Sequence, residues 1–286
     1  MVRAGTTDKG GAAEEALANY FRQAGFLAIR SIPFQRDGED LTDIDVWLYE
    51  RGSGLERRRY IVDAKNKARA KLVERLLWTA GLREALAVDG AFVFSSGLRD
   101  ASRRLARRLK VTVLDVQALG SAGIDSFVDP ARLPREDVVR SIGDIDRQRE
   151  SKAWRQHMHD MLAALLTSFG GSGANVALRA AGFFASQSLS AAPSSASSIL
   201  ALRLFYLAAA CAAAGLDYVA AQSSFQSADR RLQDIEDSIR YGTDHDETKN
   251  RLDIALELAR QYLPNGAALA NQMREKIAEE IGRAHV

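Results

Sequence analysis

Two short runs of the chain hold carboxylates and a lysine at strand spacing. Asp43 and Asp45 are two residues apart, and so are Asp63 and Lys65. In an extended strand, residues two apart point to one face of the sheet. Asp63 follows Ile61 and Val62 and precedes Ala64. A carboxylate at the end of such an apolar strand needs a partner, because an unpaired buried charge is costly. A hairpin brings the two pairs together, and Glu14 on a preceding helix can reach the same point. This set suits metal-assisted hydrolysis of a phosphodiester, which needs an activated water and a neutralised leaving oxygen. Mg²⁺ or Mn²⁺ supplies both, and Mg²⁺ prefers carboxylates, carbonyls and water. In such a site Asp45 and Asp63 are the shared ligands. The Ala64 carbonyl, Glu14 and Asp43 are further candidates for the shell. Lys65 holds or deprotonates the attacking water and stabilises charge on the phosphate. The plain alternatives are a strand-end ion pair for Asp63 and Lys65, and a polar loop around residues 37–40 that takes in Asp43 and Asp45.

The elements that must position these residues are legible in outline. Residues 11–24 have helical spacing at Ala16, Leu17, Tyr20 and Phe21, and stop at Gly25. Strands are expected at 26–34, 43–49 and 60–64, the last two joined by a turn at Arg51-Gly52-Ser53-Gly54. A helix over 68–88 carries Leu72, Leu76, Leu77 and Leu86 as its apolar stripe. A short strand at 91–95, a basic helix at 100–110 and a strand at 111–114 complete an α-β-β-β-α-β-α-β order, a mixed sheet with helices on its faces. Strand signals end near residue 128. A long polar helix is expected over 134–169, broken near Gly143, then a glycine linker at 170–173. Further helices follow at 175–189, 194–214, 217–241, 246–262 and 267–280. The reading is a first domain over 1–128 and an all-α domain over 129–280.

The run Asp43-Ile44-Asp45-Val46, followed by Tyr60-Ile61-Val62-Asp63-Ala64-Lys65, resembles the PD-(D/E)xK, or restriction-endonuclease-like, nuclease superfamily. It is most similar to the subgroup of Mrr-type restriction endonucleases and Holliday-junction resolvases. The interval from Glu14 to Gly25-Phe26 agrees, as does the strand-helix-strand pattern from Phe92 to Asp115. Ile44, not proline, precedes Asp45. The resemblance spans residues 10–120 and implies an α/β restriction-endonuclease-like mixed sheet flanked by helices. It implies a Mg²⁺-dependent endonuclease acting on DNA, in restriction or repair. RNA as the substrate stays open, and so does a nuclease fold that has lost activity and serves as an adaptor.

Composition sets the remaining bounds. The formal net charge is +2, but residues 1–120 hold 21 Lys+Arg against 16 Asp+Glu, and the rest hold 18 against 21. The basic half is the one expected to meet a polyanion. Lys67, Arg69 and Lys71 follow the motif directly. Arg103, Arg104, Arg107 and Arg108 share one helix, and all are candidates for phosphate contacts. The acidic half is expected to select substrate, dimerise the chain or bind a protein partner. Cys211, the single cysteine, is read as a buried thiol in a reduced, cytoplasmic protein. The start has no apolar leader region. Arg203 interrupts the most apolar run, 199–214; the run after it, 204–216, is too short to span a bilayer, and the segment is read as a buried alanine-rich helix. Residues 281–286 match the translation of a common sequencing adapter and are set aside from fold reasoning.

Overall fold

The structure is a computed structural model. It describes residues 9–36, 39–64, 72–95, 99–115, 133–242 and 245–283. The chain divides into two compact units, Met1–Ser151 and Lys152–Val286.

The first unit is a five-stranded mixed sheet. Its elements are α1 (Lys9–Gln23), β1 (Leu27–Arg36), β2 (Glu39–Arg51), β3 (Arg57–Asp63), α2 (Leu72–Ala85), β4 (Gly90–Ser95), α3 (Asp100–Arg108), β5 (Val111–Asp115) and α4 (Arg135–Gln148). The strands stand in the order β1-β2-β3-β4-β5. The first two pairings are antiparallel and the last two parallel. The expected α/β sheet is therefore present, with β2 and β3 as its hairpin. Alternation along the strands sorts the faces. Val46, Leu48, Val62 and Ala64 pack with Leu17, Ala18 and Phe21 of α1 in one buried cluster. Asp45, Trp47, Ile61 and Asp63 fall on the other face, where α2 lies. Leu76 and Leu86 are buried as expected, but Leu77 is exposed.

The compact unit runs beyond residue 128 because α4 is tied back to β1. Glu136 pairs with Arg30 at 3.0 Å, and Arg135 Nη2 donates to the Ser31 carbonyl at 3.4 Å. The long helix expected over 134–169, with a break near Gly143, is two helices, and Gly143 lies inside the first of them. They are separated by residues 149–152, where Glu150 takes a left-handed φ of 48°.

The second unit contains α5 (Ala153–Thr167), α6 (Gly171–Ser190), α7 (Ala196–Gln222), α8 (Ala228–Tyr241), α9 (His245–Tyr262) and α10 (Gly266–Arg283). The glycine run is not a linker. Gly170 has φ 118°, and Gly171 and Gly173 are buried in the first turn of α6. A Cβ on Gly171 would sit 2.1 Å from the Ser238 carbonyl oxygen, and one on Gly173 would sit 2.7 Å from that of Ser168. Close backbone packing is what these glycines permit. Ser188 and Ser198 clasp the α6–α7 turn by exchanging hydroxyl-to-carbonyl hydrogen bonds of 3.2 and 3.1 Å. The helix expected over 217–241 is divided, because α7 runs on to Gln222 and Ser227 caps α8. By length and composition, α7 is long and apolar enough to cross a membrane, and 44% of its apolar window is buried in this unit. Its buried face includes Leu200, Leu204, Ala208 and Cys211. Burial pushes the Cys211 thiol up to about 12.

Candidate active site

Val46 and Val62 are the last partners in the β2–β3 register. The next residues, Asp45 in the middle of β2 and Asp63 at the end of β3, therefore stand side by side. Asp45 is buried at 8% exposure, and its Oδ2 accepts a 2.8 Å hydrogen bond from the Ala64 backbone N–H. Asp63 is held from α2. Arg75 Nε donates to its Oδ2 at 2.9 Å, and Arg75 Nη2 donates to its backbone carbonyl at 3.1 Å. Charge-assisted bonds of this kind fix a carboxylate more firmly than neutral ones.

Both aspartates line a cleft of about 400 Å³. Asp43 and Ile61 share its strand wall, and Glu74, Arg75, Trp78, Thr79 and Leu82 of α2 form the facing wall. Two of the expected strand carboxylates, Asp43 and Asp45, thus meet the third, Asp63, in one cleft. Among the described residues, no group of three or more His, Cys, Asp or Glu is disposed to hold a metal ion.

Glu14 is placed elsewhere. Its Oε2 accepts from Arg30 Nη2 at 3.0 Å and from the Ser31 hydroxyl at 3.5 Å, and it is not among the residues lining the cleft. Arg30 is the hub of that arrangement. Its side chain is buried, and it pairs with Glu15 at 2.7 Å, Glu14 at 3.0 Å and Glu136 at 3.0 Å. Burial works to lower the Arg30 pKa, yet its hydrogen bonds to Glu15 and Glu14, with the charges of Glu15 and Glu136, leave it raised. Ser31 interrupts the ladder between the Arg30–Val46 and Ile32–Ile44 pairs and has a left-handed φ of 53°. Such a backbone in a non-glycine residue is strained by about 1–3 kcal/mol. The Ser31 carbonyl receives Arg135 from α4. Burial first, and the charge of Arg30 second, push the Arg135 pKa down to about 10, against the opposing pull of Glu136 and Asp43.

Lys65, Lys67, Arg69 and Lys71 lie outside the described residues. Arg103, Arg104, Arg107 and Arg108 are exposed and recur along one side of α3. Three contributors to the cleft were not expected from sequence: Glu74, Arg75 and Trp78. Their spacing of three and four residues places them on one helix face. That periodicity was the available signal, although it does not say which strands the face meets. His157, two residues from His159, stacks on Phe183 with ring centroids 4.1 Å apart and makes no metal cluster.

Residues 9–122 match the Mrr_cat family model, described as restriction endonuclease. Over that span the chain is similar to restriction endonucleases. The mixed sheet, the side-by-side Asp45 and Asp63 and the α1 position all lie inside the matched span, and the match supports a nuclease function. The helical unit lies outside it. No curated protein and no solved structure matches this chain.

Proposed function

We propose that the first unit is a divalent-metal-dependent endonuclease acting on DNA, in restriction of foreign DNA or in repair. One observation carries the reading: Asp43, Asp45 and Asp63 line a single cleft inside the span matched to restriction endonucleases. The donor chemistry fits Mg²⁺ or Mn²⁺. Mg²⁺ is usually held by one or two carboxylates, with water and substrate phosphate completing the octahedron. Two adjacent carboxylates, one inside β2 and one at the end of β3, meet that need without a cage of three protein ligands. Asp45 and Asp63 would hold the ion, with the Ala64 carbonyl and Asp43 as supplementary oxygens. When bound, the ion supplies a water of lowered pKa and charge neutralisation at the phosphate.

The chain's own residues do the rest. The Ala64 N–H fixes the direction of the Asp45 carboxylate, and Arg75 fixes that of Asp63. Lys65 follows Asp63 by two positions and brings an ammonium to the attacking water or the phosphate. Glu14 acts at a distance in this reading, since its carboxylate secures Arg30 and hence the kink at Ser31 beside Asp45. Lys67, Arg69 and Lys71, with the exposed arginines of α3, grip the backbone without reading sequence. The helical unit selects substrate or binds a second copy or another protein.

The test is cleavage of plasmid, single-stranded DNA and RNA by the full chain and by an Asp63→Ala/Lys65→Ala variant. Each is assayed with Mg²⁺, Mn²⁺ or chelator. The expected result is DNA cleavage by the wild type that chelator and the double substitution both abolish. Equal cleavage by both proteins, or none under any condition, overturns the proposal, and cleavage of RNA alone reassigns the substrate.

A further inference from the structure

The chain has three tryptophans, and they divide sharply by environment. Trp47 and Trp154 are core residues at 0% and 1% exposure, whereas Trp78 is 56% exposed. Trp78 is not on a remote surface. It lines the same cleft as Asp43, Asp45 and Asp63, with Glu74 one turn before it and Leu82 one turn after. Arg75, which grips Asp63, is three residues earlier on α2, about 4.5 Å of helical rise. The indole therefore shares one cleft with the carboxylates that would face the scissile phosphate.

An indole half-open to water, on the wall that faces three carboxylates across the cleft, suits a partner that is flat and uncharged. A phosphate does not suit it, because the carboxylates beside it repel an anion unless a cation intervenes. A nucleobase does suit it. Stacking of a base on an aromatic side chain is tolerant of sequence and is worth about 1–3 kcal/mol per base. A base inside a duplex already has both faces covered, so one that stacks on protein must be unpaired or turned out.

Resting on the nuclease reading, we propose that Trp78 is a substrate-positioning residue that stacks an unpaired base next to the scissile phosphate. The favoured substrate is then single-stranded nucleic acid, or a duplex with a locally unpaired nucleotide, over a fully paired duplex. Trp78 makes no contact with the reacting atoms. Its loss should weaken binding of the unpaired strand and leave the carboxylate chemistry in place.

All three tryptophans emit, but Trp47 and Trp154 are buried away from a ligand, so the quenching that Trp78→Phe loses is the part that reports on Trp78. The full chain, with Ca²⁺ in place of Mg²⁺ to neutralise the carboxylates and with the label checked for cleavage, is titrated with an end-labelled single-stranded oligonucleotide and with the matching duplex. Label anisotropy follows binding while tryptophan emission follows stacking. The expected result is saturable quenching by the single strand and little by the duplex. Trp78→Ala should bind the single strand at least about five-fold more weakly, with Trp78→Phe recovering much of the loss. With Mg²⁺ or Mn²⁺, Trp78→Ala should raise KM for single-stranded DNA more than it lowers kcat. Binding without quenching, quenching equal for strand and duplex, or wild-type affinity in Trp78→Ala would each overturn the proposal. Cleavage without quenching sinks the stacking role and leaves the nuclease standing. Quenching without cleavage under any condition supports stacking and sinks the nuclease.

Discussion

Asp45 Oδ2 accepts the backbone N–H of Ala64 at 2.8 Å, so the acid of one strand is pinned to the residue that follows the acid of the next. The bond is buried and ties the Asp45 carboxylate to the residue next to Asp63. Its position makes stability and activity separable by substitution. Asp45→Asn keeps an acceptor for the Ala64 N–H but removes the charge. Asp45→Ala leaves that N–H buried without a partner, which costs about 1–3 kcal/mol. Urea unfolding should place Asp45→Asn near the wild type and Asp45→Ala below it by about that amount, while neither variant cleaves DNA. An Asp45→Asn protein with full activity would remove Asp45 from the chemistry.

Arg30 holds three carboxylates from two helices, Glu14 and Glu15 of α1 and Glu136 of α4, while its own side chain is almost completely buried. Removing one partner of a buried charge group typically costs about 3–5 kcal/mol, because the remaining charges lose their compensation. Arg30→Gln is therefore expected to lower the urea midpoint strongly. Glu136→Gln should do so far less, since Glu136 is the most exposed of the three acids. An Arg30→Gln midpoint equal to the wild type would show that the cluster is not holding α1 and α4 in place.

The parts of this site legible in the sequence were those governed by strand alternation. Asp43, Asp45 and Asp63 could be placed together because a period of two allows one arrangement of a hairpin with an apolar face. Glu14 could not be placed the same way. Consecutive helix positions point about 100° apart, yet Glu14 and Glu15 are both claimed by Arg30, a charged residue inside a strand that reads as core. The cleft wall on α2 was hidden for a related reason. Periodicity identifies Leu76 as inward but does not say that the neighbouring polar face, Arg75 and Trp78, closes over the end of β3. The glycines at 170–173 misled because composition cannot separate a flexible joint from a close approach of two backbones.

That close approach is testable with a matched pair of substitutions in α6. At Gly171 a Cβ would fall 2.1 Å from the Ser238 oxygen and 2.5 Å from its carbonyl carbon, both backbone atoms. The Asn175 side chain fastens the same contact by donating to the Ile239 carbonyl. Gly171→Ala must push α6 and α8 apart, and overpacking of this kind typically costs about 1–3 kcal/mol or more. Gly182 is on the same helix with nothing within 4 Å of its would-be Cβ. Gly182→Ala should instead stabilise by about 0.5–1 kcal/mol, the ordinary helix preference for alanine. Thermal melts that shift in the same direction for both variants would contradict this packing.

His157 on α5 gives the helical unit a pH dependence of defined sign. Burial is the main cause that lowers its pKa, Arg179 adds to the lowering, and Asp160 opposes it. The ring stacks on Phe183 of α6, so the neutral form is the one that fits. In the unfolded chain the imidazole titrates near its ordinary value of about 6.5. Between that value and the lower folded one, the unfolded state binds more protons, so stability rises with pH across the window. The contribution is present above about pH 6.5 and is lost as pH falls toward the folded pKa. His157→Phe removes the titration and retains a ring against Phe183. Urea midpoints measured at neutral pH and near pH 5 should fall more steeply for the wild type than for His157→Phe, since every other titrating group is common to both. Equal slopes would mean that the folded and unfolded states hold the His157 proton equally well.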